Sequence, residues 1–197
     1  IFNGPRFSRI YVSDTDYGVP LLSGADMLQA VLSTAPLISK RQAMSMAYMM
    51  LKQGTTLVSS YGTIGNTTYC RPDMEGMVGS DNVLKIIPNE ERILPGFLYA
   101  FLSSKFGLPL IIAGTSGSVV TYLDPSRVAE LPVPRLAAEI ERKSHELVTR
   151  AAEMRSKSLA LLYESGEHLL EAVGLTELPE AHTVPKPLTS VIMFSSL

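Results

Sequence analysis

The most informative segment of the sequence is Gly54-Thr-Thr-Leu-Val-Ser-Ser-Tyr-Gly-Thr-Ile-Gly65. Its first half is β-branched and alternating, which is typical of a strand. Gly62 and Gly65 then supply turn geometry that residues with a Cβ resist. The pattern predicts a strand over Thr55–Ser60 that leads into a glycine-shaped turn.

Short elements with recognisable start and stop signals surround this stretch. The other predicted strands cover Arg9–Val12, Val83–Ile87 and Val119–Leu123. Helical segments are predicted at Ser23–Asp26, where the two residues form a capping box, over Lys40–Lys52 with Ser39 as cap, from Pro95 to about Lys105, and after Asp124. Strands mixed with short helices and many turns predict an α+β domain over residues 1–135, with mixed or antiparallel sheets. A methionine run in the second helical segment is expected to pack in the core: Met44, Met46, Met49 and Met50.

A long helix of coiled-coil type is predicted over residues 136–173, and Gly174 ends it. A seven-residue alternation of large and small residues forms a seam that a partner helix can approach closely. The alternative is a solvated helix that lies along its own domain. Residues 174–197 contain three prolines and are predicted to form a linker or tail. The helix-pairing seam is Ile140, Ser144, Leu147, Ala151, Met154, Ser158 and Leu161.

The composition restricts the function classes. An apolar fraction of 46% predicts a folded protein, and no uncharged run is long enough to cross a bilayer. With Cys70 as the single cysteine and no metal-ligand spacing among the three histidines, neither a disulfide, a metal site nor a cofactor is predicted. The first residues lack the layout of a secretion signal, so the protein is expected to be cytoplasmic. They also lack an initiator Met, which leaves open a start at an internal point of a longer gene product.

Patterns that carry catalysis are missing from the sequence. There is no phosphate-binding Gly-Lys-Ser/Thr loop, no Gly-x-Ser-x-Gly elbow, and no histidine close to Cys70 in its own domain. The segment Gly114-Thr-Ser-Gly-Ser118 is read either as a plain loop or as backbone amides that bind an anion. A non-catalytic protein is therefore predicted, with a small-molecule enzyme that uses this loop as the weakest alternative.

Five segments, in this order and spacing, resemble the specificity subunits of Type I restriction-modification systems. They are Tyr17-Gly-Val-Pro-Leu-Leu-Ser-Gly-Ala-Asp26, Leu57-Val-Ser-Ser-Tyr-Gly-Thr-Ile-Gly65, Gly79-Ser-Asp-Asn82, Pro95-Gly-Phe-Leu-Tyr-Ala-Phe-Leu-Ser-Ser104, and Gly117-Ser118 through Leu131-Pro-Val-Pro134. The resemblance covers about residues 6–173 and corresponds to one target recognition domain followed by one spacer helix.

In that family two recognition domains sit at opposite ends of an antiparallel helix pair, and each reads half of a bipartite DNA site. The resemblance therefore implies double-stranded DNA, methyltransferase subunits and a restriction or translocase subunit as partners. Because this chain has one domain and one helix, it also implies a second specificity half or a homodimer. A fragment, a half-size subunit and a domain of a fused methyltransferase-nuclease or related phage-defence protein all remain open.

The resemblance also implies DNA-contacting residues. Basic and hydroxyl side chains would position phosphates, and side chains on the glycine-shaped turn would lie near bases. The phosphate candidates are Arg6, Arg9, Lys40, Arg41, Arg71, Ser116 and Ser118, and the base candidates are Tyr61, Thr63 and Asn66. The net charge of −2 motivates an alternative, a protein-interaction module that uses the long helix and binds no DNA.

Overall fold

The structure is a computed structural model that describes residues 1–116 and 121–174. Contacts divide the chain into two units, Ile1–Leu159 and Ala160–Leu197. The first unit holds the sheets formed by the described residues and the first part of the long helix. In the second unit the described residues are helical as far as Ala172.

The elements follow one another as short strands and helices. The strands are β1 (Tyr11–Val12), β2 (Gly18–Leu22), β3 (Leu37–Ser39), β4 (Thr56–Ser59), β5 (Thr67–Tyr69), β6 (Val78–Gly79), β7 (Val83–Ile86), β8 (Thr115–Ser116) and β9 (Tyr122–Leu123). The α-helices are α1 (Lys40–Ser45), α2 (Pro95–Leu102), α3 (Gly107–Ala113), α4 (Pro125–Ala129) and α5 (Ala138–Ala172). Single 3-10 turns cover Asp26–Leu28, Ala47–Met49 and Pro72–Met74.

Three sheets organise the first unit. The first has the order β1-β3-β2-β6, in which β6 runs parallel to β2 and the other pairs are antiparallel. The second is antiparallel, with β4 between β5 and β7 so that Thr56 faces Tyr69 on one side and Ile86 on the other. The third pairs β8 with β9. This architecture confirms the predicted α+β class with mixed and antiparallel sheets and a long C-terminal helix.

Strand β4 is buried on both faces. Leu57 packs into a cluster with Leu22 and Met27, whereas Val58 packs with Leu84 and residues of α2 and α3. Full burial of one such side chain stabilises the fold by about 1.5–3 kcal/mol. Alternate residues of one strand therefore join two separate parts of the core.

Several local predictions agree with the structure. Ser39 caps α1 by accepting from the Gln42 N–H at 3.2 Å, and Asp124 caps α4 by accepting from the Ser126 N–H at 2.9 Å. The Ser23 N–H donates to Asp26 at 2.9 Å and the Asp26 N–H donates back at 3.3 Å, as a capping box requires. Its helix is only the 3-10 turn Asp26–Leu28.

Two helical predictions need correction. The helix expected over Lys40–Lys52 ends at Ser45, because the backbone of Met46 leaves the helical region before the 3-10 turn begins. The methionine run divides accordingly, with Met49 in the core and Met44 exposed to 71%. Helix α3 was not predicted, since Gly107 reads as a stop signal in the sequence. Its backbone instead lies against Phe101, where an added Cβ would stand 2.2 Å from a carbonyl oxygen.

Within the first unit, α5 packs against the domain along one face. The Gly96 N–H donates to His145 Nδ1 at 3.1 Å, and Ala152 is buried. Glu141 receives both a bidentate ion pair from Arg135 and the Leu136 N–H at 2.8 Å, which fixes the entry into the helix. These contacts hold the first part of the helix within the first unit. They also give the helix the support against its own domain that the alternative interpretation described.

Within residues 1–116 and 121–174, no single helix is both long and apolar enough to cross a membrane, and only α2 with α3, bent by 74°, pass that test as a pair.

Candidate nucleic-acid interface

A polar cleft of about 430 Å³ lies where three loops of the first unit meet. The three base-contact candidates, Tyr61, Thr63 and Asn66, all line this cleft. They belong to the same seven-residue connection between β4 and β5. The full lining is Ser23, Gly24, Ala25, Leu28, Ser59, Tyr61, Gly62, Thr63, Asn66 and Asn82. Hydroxyl and amide side chains of this kind both donate and accept hydrogen bonds, as base recognition requires.

The first wall of the cleft is the β4–β5 turn. Ser59 holds the turn closed, because its N–H donates to the Asn66 carbonyl at 2.8 Å and its hydroxyl donates to the Tyr61 carbonyl at 3.0 Å. Gly62 and Gly65 have φ of +71° and +90°, a region that favours glycine. The turn therefore has a defined shape in which Thr63 is exposed and Asn66 is half-buried.

Tyr61 is held from outside the turn. Its ring stacks on that of Tyr122 with centroids 6.1 Å apart and an interplanar angle of 22°. Strand β9 is tied to the same place, since the Leu123 N–H donates to the Ser60 carbonyl at 3.0 Å. This support keeps a large aromatic side chain fixed at the edge of the cleft.

The second wall is the Ser23–Ala25 loop, which the capping box of Ser23 and Asp26 holds in place. Gly24 approaches Ser59 so closely that an added Cβ would lie 2.6 Å from its hydroxyl oxygen. A larger residue at this position would push the two walls apart. Sequence reasoning noted the capping box but did not place this loop beside the β4–β5 turn.

The third wall is the turn between β6 and β7, which carries Asn82. Behind it lies Lys85, which is only 2% exposed and donates from Nζ to the carbonyls of Ser80 and Val83 at 3.1 Å each. Burial lowers the pKa of Lys85 to about 8, although the nearby carboxylate of Asp81 favours the charged form. Neither Asn82 nor Lys85 was a candidate from the sequence. The direction of the single lysine side chain in an apolar strand cannot be predicted from the strand pattern.

The exposed basic candidates lie in the N-terminal segment and at the start of α1. Arg6, Lys40 and Arg41 are exposed. Arg9 pairs with Asp81 at 2.7 Å, which places its guanidinium beside the turn that carries Asn82. Ser116 is half-buried and lies opposite Tyr122 in the β8–β9 pair, next to the stacked tyrosines. Ser118 falls outside the described residues, as does part of the Gly114–Ser118 loop.

Arg71 does not sit where a phosphate contact needs it. It is 5% exposed and forms a bidentate pair with Asp73, at 3.0 and 2.8 Å. Burial by itself raises the pKa of Asp73, but hydrogen bonds from Arg71 and Ser156 hold that pKa below its usual range. Arg71 thus contributes, through Asp73, to the attachment of the helix.

The helix-pairing seam is largely uncovered. Ile140, Leu147 and Met154 are 53%, 55% and 62% exposed, and Leu161 in the second unit is exposed as well. Of the small residues between them, Ser144 is half-buried, and Ala151 and Ser158 are exposed. The face that packs on the domain is a different one, which includes Glu141 and Ala152. The seam is therefore available to another helix.

Comparison with known proteins gives a solved structure with a similar fold and no sequence relative. No family model matches the sequence. No curated protein matches it either. The crystal structure of a Type-I restriction-modification system S subunit from M. genitalium is similar to this chain at 14% identity and a TM-score of 0.42, over 85% of this chain. The chain spans 38% of the length of that protein. No residue role is transferred at this level of similarity.

Proposed function

We propose that this chain is a non-catalytic DNA-sequence recognition module of a restriction-modification system, which reads one half of a bipartite site. The observation that carries the proposal is the polar cleft, in which Tyr61, Thr63 and Asn66 meet side chains from two other loops. Hydroxyl, amide and aromatic groups on a fixed turn are suited to contacts with base edges. In this role the module works in the cytoplasm and contributes to phage defence.

Phosphate contacts would come from the exposed basic residues and from the hydroxyl groups of two serines. Each phosphate neutralised by a cation releases counterions, so each steepens the salt dependence of binding by about 0.9 on a double-logarithmic plot. With a net charge of −2, the module depends on local placement of its cations rather than on overall charge. The proposed set is Arg6, Arg9, Lys40, Arg41, Ser116 and Ser118.

The uncovered seam on α5 supports a helical partner. Small residues alternate with large ones, so a second helix can approach closely and bury Ile140, Leu147 and Met154. We propose that the partner is a second specificity half or a second copy of this chain, and that the paired helices dock the methyltransferase subunits. A restriction or translocase subunit would join the same complex.

A second function, a protein-interaction module that binds no DNA, is favoured by the same exposed seam and by the low net charge. The two proposals agree on the helix and differ in the cleft. DNA binding by the intact chain therefore separates them, whereas loss of helix pairing does not.

The test is a selection from random duplex DNA with the full chain, alone and together with its candidate methyltransferase subunit. The proposal predicts a recurrent sequence, with at least about 10³-fold tighter binding to it than to a scrambled duplex and affinity that falls steeply with salt. Recovery of no recurrent sequence under both conditions contradicts DNA recognition and leaves the interaction module.

A further inference from the structure

The turn between β6 and β7 is held from the inside by a buried lysine. The Val83 N–H donates to the Ser80 carbonyl at 3.2 Å, and Lys85 Nζ bonds the carbonyls of both residues. Gly79 makes room for this side chain, because a Cβ there would lie 2.8 Å from Lys85 Cε. The ammonium group therefore spans the turn and fixes its two ends.

This lysine is not explained by an ion pair. Within the described part of the chain its hydrogen-bond partners are the two carbonyls, and the ring of Phe2 lies 5.6 Å from Nζ. Burial of a charged group is costly, and an apolar side chain would fill the same space at lower cost. What the lysine adds is control over the conformation of the Ser80–Val83 turn.

Asn82 is the residue that this turn presents to the cleft. Its carbonyl accepts the Ser60 N–H at 2.9 Å, and its Oδ1 accepts the hydroxyl of Ser80. Among residues 1–116 and 121–174, its Nδ2 has no hydrogen-bond acceptor. The side chain is thus held at one atom of its amide, and Asn82 lines the same cleft as Tyr61 and Asn66.

The chemistry of this amide selects a ligand. Oδ1 keeps one lone pair beside the Ser80 contact, and Nδ2 keeps two hydrogens, so the group can accept and donate side by side. That pattern is complementary to N6 and N7 of an adenine in the major groove. We infer that Asn82 reads an adenine in the cleft and that Lys85 is the residue that positions it. The inference rests on the DNA-recognition function proposed above.

The experiment compares DNA selections by the full chain and its variants. Asn82→Ala removes the amide, and Asn89→Ala is the matched control because Asn89 lies on another loop, outside the cleft lining. Lys85→Met removes the buried ammonium, and Lys52→Met removes the same charge from an exposed position. Ser80→Ala takes away the hydroxyl that holds Asn82, while the backbone acceptor for Lys85 stays. Ser80→Ala replaces Lys85→Met in the experiment if Lys85→Met does not fold.

The inference predicts loss of preference at one A·T pair in the Asn82 variant, by about tenfold to a hundredfold, with the rest of the selected sequence retained. The Lys85 or Ser80 variant should lose preference at the same pair, and both controls should keep it. An unchanged preference in Asn82→Ala overturns the base contact. An unchanged preference in folded Lys85→Met, or a uniform loss at every position, overturns the positioning role. If Lys85→Met does not fold, an unchanged preference in Ser80→Ala overturns it instead. If the unaltered chain selects no sequence at all, the proposed function itself is contradicted.

Discussion

Ser156 on the long helix and Asp73 on the domain bond each other in both directions. The Ser156 hydroxyl donates to Asp73 Oδ1, and the Asp73 N–H donates back to Ser156 Oγ at 3.3 Å. The same carboxylate holds the buried guanidinium of Arg71. One acidic residue therefore joins the helix to the domain and compensates a buried charge.

We expect Asp73→Ala to lower the free energy of unfolding by about 3 kcal/mol, because it leaves Arg71 buried without its partner. Urea unfolding at neutral pH measures this effect. Glu130→Ala is the control, since Glu130 is exposed and its loss should change the free energy by less than about 0.5 kcal/mol. A similarly small change for Asp73→Ala would show that Arg71 is compensated in another way.

The exposed helix-pairing seam of α5 predicts that the chain associates with a second helix. Introducing Leu147→Lys and Leu161→Lys should abolish pairing with a second copy or a second specificity half, because it places charges between helices that must approach closely. Both residues are exposed, so the domain should remain folded. Light scattering on the chain, alone and with a co-expressed partner, measures the association. Ala160→Lys adds a charge outside the seam and should leave it intact, whereas equal association by all variants would rule out pairing through this face.

The buried Lys85 makes stability depend on pH in a defined direction. Its pKa is about 8 in the folded protein, against an ordinary value of 10.5. Between these values the unfolded chain still holds the proton that the folded chain has lost, so stability rises with pH. Below about pH 8 the folded protein bears the full cost of burying the charged lysine. Above the ordinary pKa both states are neutral and this cost is absent, so the free energy of unfolding is higher by about 3 kcal/mol.

Comparison with Lys85→Met isolates this contribution. Burial raises the pKa of Cys70 to about 12, and this lowers stability with rising pH, but it does so equally in both proteins. We therefore expect the wild type to gain about 3 kcal/mol of unfolding free energy relative to the variant between about pH 7 and about pH 10.5. A difference that stays constant over this range would mean that Lys85 titrates normally.

The ion pair between Arg9 and Asp81 limits how strongly the free protein attracts phosphate. Asp81→Asn should release Arg9 and raise affinity for non-specific duplex DNA by up to about fivefold, with a salt slope steeper by about 1. Asp16→Asn makes the same charge change at an exposed residue of the β1–β2 turn and serves as the control. Fluorescence anisotropy over a salt series measures both quantities. Equal effects of the two substitutions would indicate that only net charge matters.

The sequence was sufficient for elements whose signals are local. The β4 strand, the start of α2 at Pro95, the caps at Ser39 and Asp124, and the long helix all follow from patterns within a few residues. Strand β6 has only two residues, and it exists because β2 pairs with it from more than 50 positions away. No local pattern can show such a pairing.

The candidate site divides in the same way. The β4–β5 turn could be predicted because glycines shape it, but the Ser23–Ala25 loop and Asn82 reach the cleft through tertiary contacts. Arg71 and Lys85 show the limit most clearly. Both are basic residues that a sequence would place on the surface, and both are buried because a carboxylate or backbone carbonyls lie within hydrogen-bonding distance.

The proposal that the cleft recognises DNA sequence is tested by comparing the full chain with a Thr63→Ala, Asn66→Ala double variant. The affinity of each protein is measured for the selected duplex and for a scrambled duplex. The substitutions leave every exposed basic residue in place. The account predicts that affinity for the selected duplex falls by at least about tenfold while affinity for the scrambled duplex stays the same. Unchanged affinity for the selected duplex, or an equal loss for both, would contradict it.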